Sequence, residues 1–301
     1  MSKHKVLMTG GTGFLGSNII PMLLVSGCEV FLLKRTLSSI VRIEQLTANI
    51  KFINIDEVDL AQIFEQNSFD IILHCATNYG RRDIDPFNIL EANLILPLKL
   101  IELGVKYGVK YFINTDTIID KRISKYSLSK SQFKEWLKLY ADRIGCINVA
   151  LEHFYGPGDD DSKFVSYIIK QLISKQTTIE LTPGDQKRDF IYVDDVVSAF
   201  ELIISNVERF IPGYYDFQIG SNTLISIKDL VWLIARLSEN KTTELKFGAL
   251  PYRPNEIMES KVDTRNIMRL GWKCKVPIEI GLQHTISYAL EQYNRTKSND
   301  S

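Results

Sequence analysis

The stretch Lys5-Val6-Leu7-Met8-Thr9-Gly10-Gly11-Thr12-Gly13-Phe14-Leu15-Gly16 decides how the rest of the chain is read. It opens on a short apolar run of strand length, and a helical pattern occupies 13–26. Between the two, Gly10, Gly13 and Gly16 recur at a fixed spacing. A chain that turns tightly from strand to helix, and lets backbone N–H groups approach a pyrophosphate, leaves no room for a Cβ at such positions. The helix start then faces the phosphates with its partial positive charge. In this strand–turn–helix context the spacing marks a dinucleotide-binding turn. The alternative is a Gly-rich turn and nothing more. Gly10, Thr12, Gly13, Phe14, Leu15 and Gly16 are the candidate cofactor contacts.

Working outward, short β-branched runs at 5–9, 29–33, 51–55, 69–74, 111–114 and 146–151 alternate with helical patterns at 13–26, 59–67, 85–107 and 126–143. Strands separated by helices imply βαβ units, hence an α/β fold with a Rossmann-type, doubly wound parallel sheet. The rhythm changes near Tyr155, where Gly156-Pro157-Gly158-Asp159-Asp160-Asp161 is turn-rich and acidic. Helices follow near 163–175, 193–205 and 227–237. The expected organisation is a dinucleotide-binding domain over 1–155 and a smaller C-terminal α/β substrate-binding lobe over 156–301, with segments near 190–220 returning to the first domain. Asp159 to Asp161 read as a solvated loop and helix N-cap. The polar tail from Arg295 is expected to fray.

The chain has 301 residues, 45% of them hydrophobic, with 36 basic and 36 acidic side chains. That balance excludes disorder and fibrous repeats, and gives no electrostatic footprint for nucleic acid. No apolar run is long enough to span a bilayer. Lys3, His4 and Lys5 precede only a brief apolar run, so no signal peptide is expected. The four cysteines, Cys28, Cys75, Cys146 and Cys274, form no CxxC pair. Four buried thiols in a reducing cytoplasm, with no metal site, is the expectation.

Two further features carry chemistry. The second strand ends in Lys34-Arg35, where an NAD-binding fold usually places an acid for the ribose hydroxyls. An Arg suits a 2′-phosphate, so NADP(H) is expected over NAD(H). Tyr126 and Lys130, four residues apart at a helix start, share one face. An ammonium near a phenol lowers the phenol's pKa and makes Tyr126 a general acid/base. The fifth strand ends in Asn114-Thr115-Asp116-Thr117, at the edge where open α/β sheets bind ligands. A hydroxyl there would bond a carbonyl beside Tyr126.

With these residues the chain resembles the extended short-chain dehydrogenase/reductase family, the NAD(P)-dependent nucleotide-sugar epimerases, dehydratases and reductases. The resemblance covers nearly the whole length. It rests on the glycine turn, His74-Cys75-Ala76, Asn93, Tyr126-Ser127-Leu128-Ser129-Lys130, Tyr155-Gly156-Pro157-Gly158 and Arg188-Asp189-Phe190-Ile191-Tyr192-Val193-Asp194-Asp195. It implies Tyr126 as acid/base, Lys130 on the nicotinamide ribose and Thr115 as the substrate-binding hydroxyl. It adds Asp56, Cys75, Ala76 and Asn93 to the cofactor contacts and Asp116, His153, Arg188 and Arg253 to the substrate contacts, the arginines on phosphate.

Departures from the family pattern sharpen the reading. The 4,6-dehydratases place Thr-Asp-Glu where this chain has Thr115-Asp116-Thr117, so the base for water elimination is missing. His153 stands where an Asn is usual, with Glu152 expected to face the other way by strand alternation. Leu151-Glu152-His153-Phe154-Tyr155-Gly156 resembles a narrower group, the bacterial CDP-abequose and CDP-paratose synthases. That resemblance implies NADPH-dependent reduction of the C4 ketone of CDP-4-keto-3,6-dideoxyglucose, a step in O-antigen sugar synthesis. The wider family resemblance implies a homodimer formed through the helices at 85–107 and 126–143. A 4-epimerase holding NAD, and a non-catalytic dinucleotide-binding protein, remain as alternatives.

Overall fold

The computed structural model describes residues 4–81 and 85–299. Lys3 and the last two residues of the polar tail lie outside them. In chain order the elements are β1 (Lys5–Thr9), α1 (Phe14–Val25), β2 (Glu29–Lys34), β3 (Ile50–Asn54), α2 (Leu60–Gln66), β4 (Ile71–His74), α3 (Pro86–Leu90), α4 (Leu96–Lys106), β5 (Tyr111–Thr117), α5 (Lys125–Leu139) and β6 (Gly145–Leu151). There follow β7 (His153–Tyr155), α6 (Phe164–Ile173), β8 (Thr178–Leu181), β9 (Lys187–Tyr192), α7 (Val193–Ser205), β10 (Gly213–Ile219), β11 (Leu224–Ser226), α8 (Ile227–Leu237), β12 (Glu244–Phe247), α9 (Arg265–Arg269) and α10 (Ile278–Asn299).

The chain divides into two compact units. The first comprises Met1–Leu151, Val197–Ile219 and Thr264–Trp272. Its sheet has seven strands in the order β10-β6-β5-β4-β1-β2-β3, every neighbouring pair parallel. This is the Rossmann-type arrangement implied by the alternation of strands and helices. Strand order reverses between β1 and β4, so a ligand crevice belongs at the carboxyl ends of those strands, Thr9 and His74. The central strands read as apolar runs because both of their faces are covered. Val6, Leu7, Met8, Ile71, Ile72 and Leu73 are completely buried. The polar exceptions include Thr9 and His74 at the ends of β1 and β4, and Asn114, Thr115, Asp116 and Asn148 on β5 and β6.

The second unit comprises Glu152–Val196, Gly220–Asp263 and Lys273–Ser301. It holds a three-stranded sheet, β11-β9-β7, and a parallel pair, β12-β8. Helices α6, α8 and α10 pack on one another. Asp195, buried at the start of α7, accepts from the N–H groups of Lys275 and Val276 at 2.9 and 2.8 Å and fixes the approach to α10. That helix continues to Asn299, past the point where the tail was expected to fray.

The single amphipathic helix expected over 85–107 is in fact two helices joined by a π-turn at Glu91–Ile95. Asp85 caps its start through Phe87 N–H at 2.9 Å, and Pro86 occupies the first turn, where no N–H is missed. Further along, Pro97 has no N–H to give to the carbonyl of Asn93, and the Leu96 N–H bonds to Glu91 O, one residue further back than in an α-helix.

The glycine turn is held by contact with Cys75 and Ala76, directly after β4. Gly10 has φ +71°, and a Cβ there would lie 2.4 Å from Ala76 N. Gly27 has φ +79° with nothing within 4 Å. Gly10→Ala should therefore cost ~3 kcal/mol in urea unfolding and Gly27→Ala only ~1 kcal/mol. Equal costs would show that the turn is not pressed on the residues after β4.

Candidate active site

The dinucleotide end follows from sterics. A Cβ on Gly16 would lie 2.3 Å from Gly10 O, so the helix can pack on the turn only with glycine there. Gly13 is different. It is exposed, and a Cβ would meet only Gly10 O, at 3.3 Å. The protein itself leaves this position open, as close approach of a pyrophosphate requires. Gly13 is also the N-cap of α1, with no side chain bonded to the helix start. Phe14 and Leu15 bury their side chains, so they can offer a ligand only backbone, while Thr12 is half-buried. These residues fit a dinucleotide.

At the end of β2 the two cations differ. Lys34 Nζ donates to the carbonyls of Arg35 and Thr36, both at 3.2 Å, and so ties down its own loop. Arg35 is exposed. Asp56 accepts from Thr36 N at 2.8 Å and Thr36 Oγ1 at 2.9 Å, and these bonds hold its carboxyl below the usual carboxylate range. Its observed task is to shape the turn.

At the switch point, Thr9 Oγ1 and His74 Nδ1 lie 2.9 Å apart, and Thr9 also receives Cys75 N on its carbonyl and Ala76 N on its hydroxyl, both at 3.2 Å. Burial holds His74 neutral, well below its ordinary pKa, and pushes the Cys75 thiol up to about 12. Two cysteines, Cys28 and Cys146, are buried; Cys75 and Cys274 are partly exposed, so the expectation of four buried thiols is corrected. Asn93, fully buried in the π-turn, accepts from Asn78 N at 2.8 Å. It donates to Asn78 O at 2.9 Å and Ser129 Oγ at 3.0 Å, joining the loop after β4 to α5.

Helix α5 starts on a reciprocal Ser124–Ser127 capping box. Tyr126 is half-buried and Lys130 is 2% exposed. Lys130 Nζ donates to Thr115 O at 2.8 Å. Burial lowers its pKa to about 8, with Asp116 pulling the other way. The expected lowering of the Tyr126 pKa is overturned: burial raises it well above 10, Tyr79 adds to the rise, and a bond with the Thr117 hydroxyl opposes it. One of the three Lys130 N–H donors goes to the strand carbonyl. The Thr115 hydroxyl donates to His74 O at 3.0 Å. Thr117, two residues on, is the hydroxyl whose influence lowers the pKa of the Tyr126 phenol. Thr117 has the same strand parity as Thr115, the one sequence signal that points to it. Tyr79, whose ring lies 4.9 Å from that of Tyr126 with Arg81 over it at 5.3 Å, had no chemical signal in the sequence. Asp116 accepts from Thr117 N at 2.7 Å and Asn148 Nδ2 at 3.0 Å.

In the second unit, Glu152 does not face away from His153. His153 Nδ1 bonds Glu152 Oε2 at 2.9 Å, because residue 152 lies between β6 and β7 and strand alternation lapses there. The imidazole also packs on Phe190 at 5.6 Å. Arg188 pairs with Glu256 and donates to Lys187 O at 2.9 Å, while Arg253 is exposed. Asp159 is buried rather than solvated and holds Lys163 at 3.0 Å. The N-cap of α6 is Lys163, with no side chain capping that helix.

The family model described as "NAD dependent epimerase/dehydratase family" matches residues 6–220, and the chain belongs to that family. It is an NAD(P)-dependent oxidoreductase. CDP-abequose synthase of Salmonella typhimurium is 35% identical over 94% of this chain and 98% of its own. The Yersinia pseudotuberculosis CDP-abequose synthase is 26% identical over 90% and 96%. Among solved structures, UDP-glucose 4-epimerase of Thermotoga maritima has a TM-score of 0.82 at 24% identity, covering 96% of this chain and 99% of that one. The Thermus thermophilus UDP-glucose 4-epimerase in complex with NAD has a TM-score of 0.79 at 22% identity, covering 94% and 98%. Among the described residues no helix is long and apolar enough to cross a membrane.

A step that needs the Lys130 ammonium should run at full rate below its pKa and lose rate as pH rises through about 8. A turnover profile flat to pH ~10, near the ordinary lysine value, would show that the ammonium is not used.

Proposed function

We propose that the chain is an NADPH-dependent 4-ketoreductase of a nucleotide-linked deoxysugar, converting CDP-4-keto-3,6-dideoxyglucose to CDP-abequose or its C4 epimer CDP-paratose, within O-antigen sugar synthesis. One observation carries the reading: Tyr126 and the buried Lys130 share one face of α5, with Lys130 Nζ on the carbonyl of Thr115 near the carboxyl end of β5. The substrate rests on the similarity to CDP-abequose synthases.

NADPH, when bound, supplies the hydride. Gly10, Gly13, Gly16 and the start of α1 would receive its pyrophosphate, and Lys130 its nicotinamide ribose. As charge develops on the ketone oxygen, Tyr126 gives up its proton, with the Lys130 ammonium lowering the energy of the anion. Thr115 serves through its carbonyl, which fixes Lys130. Dehydration is disfavoured because residue 117 carries a hydroxyl and not a carboxylate. A 4-epimerase would show no net cofactor consumption, and the exposed Arg35 at the end of β2 favours a reductase that uses NADPH. In the second unit, Arg188 and Arg253 are the proposed diphosphate contacts, and His153 a polar contact to the sugar or diphosphate. Leu128, Trp136 and Leu139, exposed on α5, are consistent with a homodimer through that helix.

With CDP-4-keto-3,6-dideoxyglucose, NADPH should be oxidised one for one, and NMR of the product gives the C4 configuration. Tyr126→Phe should slow this by ~10²–10⁴. Retention of the full rate, or product formed without net NADPH loss, would replace the reductase by another reaction. Arg35 is the residue proposed to meet the 2′-phosphate. Arg35→Asp should weaken NADPH at least tenfold relative to NADH in fluorescence titration, a change of about 1.4 kcal/mol. An unchanged ratio would return the preference to NAD(H).

A further inference from the structure

A polar row crosses the sheet of the first unit where parallel strands are normally apolar. Asn114 on β5, Asn148 on β6 and Asp216 on β10 are register partners on adjacent strands. Asn114 and Asn148 are completely buried. Asn148 Oδ1 accepts from Asn114 Nδ2 at 2.8 Å, and Asn148 Nδ2 donates to Asp116 Oδ2 at 3.0 Å and to Asp216 Oδ1 at 2.8 Å. Both amide hydrogens are thus given to carboxylates, one at the active-site end of β5 and one further out. The other Asp216 oxygen pairs with Lys134 Nζ at 2.9 Å.

The helix above has the matching pattern. Tyr126, Lys130 and Lys134 follow at helical spacing on one face of α5. Lys130 donates to the carbonyl of Thr115, the peptide leading into Asp116. Asp116 itself is 7% exposed, with both carboxylate oxygens engaged by protein donors. A carboxylate so occupied is poorly placed to hold a sugar and well placed to hold a charge.

We propose that Asp116 is a positioning residue for Lys130 rather than a substrate contact, that Asn148 holds Asp116 in place, and that the Lys134–Asp216 ion pair anchors the outer end of the row. The inference rests on the ketoreductase reading. The titratable groups facing Lys130 are Asp116 on β5, His74 and Cys75 at the end of β4, and Tyr126 and Lys134 on its own helix. His74 is kept neutral and the Cys75 thiol stays protonated up to about 12. Asp116 therefore supplies the negative charge that favours the ammonium.

The test is the pH dependence of kcat and KM for the full chain with NADPH and CDP-4-keto-3,6-dideoxyglucose. Asp116→Asn keeps the shape and removes the charge. Its alkaline limb should move down by ~1 pH unit, with kcat at pH ~8 down ~fivefold and KM for the nucleotide sugar within ~twofold of wild type. Asn148→Ala should move the limb the same way by less. If that variant does not fold, as judged by circular dichroism, the isosteric Asp116→Asn decides alone. A KM raised ~tenfold with the limb unmoved would make Asp116 a substrate contact, and a kcat loss equal at every pH would make it a proton carrier. Either result overturns the proposal. Full rate in Tyr126→Phe would instead mark failure of the ketoreductase reading, so the two failures are distinguishable.

Discussion

An ammonium group with almost no access to water governs the architecture at the carboxyl edge of the sheet. Taking an unpaired charge into a protein interior costs several kcal/mol. Lys130 is tolerated because Thr115 offers a carbonyl at 2.8 Å and Asp116 a nearby negative charge. Both partners exist only because β5 continues to Thr117, beyond the apolar run that ends at Asn114. The ammonium also has to arrive from the right helix, which starts on the Ser124–Ser127 cap and is joined to the loop after β4 by the Ser129–Asn93 bond. Strand length, helix start and the Asn93–Ser129 bond all bear on where that one charge sits.

The legible parts of the fold were those set by local sterics. The glycine turn is required by backbone approach over a few residues, and the sequence spacing states that requirement directly. The alternation of apolar strands with amphipathic helices likewise carries the parallel sheet. The π-turn was hidden because the periodicity of Leu90, Leu94, Leu98 and Ile101 survives it; the cause is the missing N–H of Pro97, whose effect depends on the helix around it. Helix α10 was hidden because its exposed face is long and polar, and polar composition near a chain end resembles a frayed tail.

Within the site, residue type was legible and partnership was not. Tyr126, Lys130 and the polar end of β5 could be singled out from spacing. The Thr115 hydroxyl meets the carbonyl of His74, a residue on the neighbouring strand. Glu152 and His153 look like alternating strand residues until the chain breaks its strand between them. Lys34 reads in the sequence as a cation for phosphate, and in the structure its Nζ meets two carbonyls of its own loop. Each correction comes from a tertiary contact that competes for a donor or acceptor, and no one-dimensional pattern encodes that competition.

Burial acts on the two central groups in opposite senses, because the charged form of each is the one disfavoured. It raises Tyr126, whose charged form is the phenolate, and lowers Lys130, whose charged form is the ammonium. The phenol therefore keeps its proton through neutral pH, while the lysine is brought close to losing its own. A site so arranged can release the phenolic proton only when something else stabilises the resulting negative charge. An oxygen gaining charge as hydride arrives presents that demand, and Lys130 is the cation available to answer it. On the ketoreductase reading, the residue after Asp116 separates the reactions open to this scaffold: a carboxylate there could remove a proton from carbon, and the hydroxyl of Thr117 is too weak a base to do so.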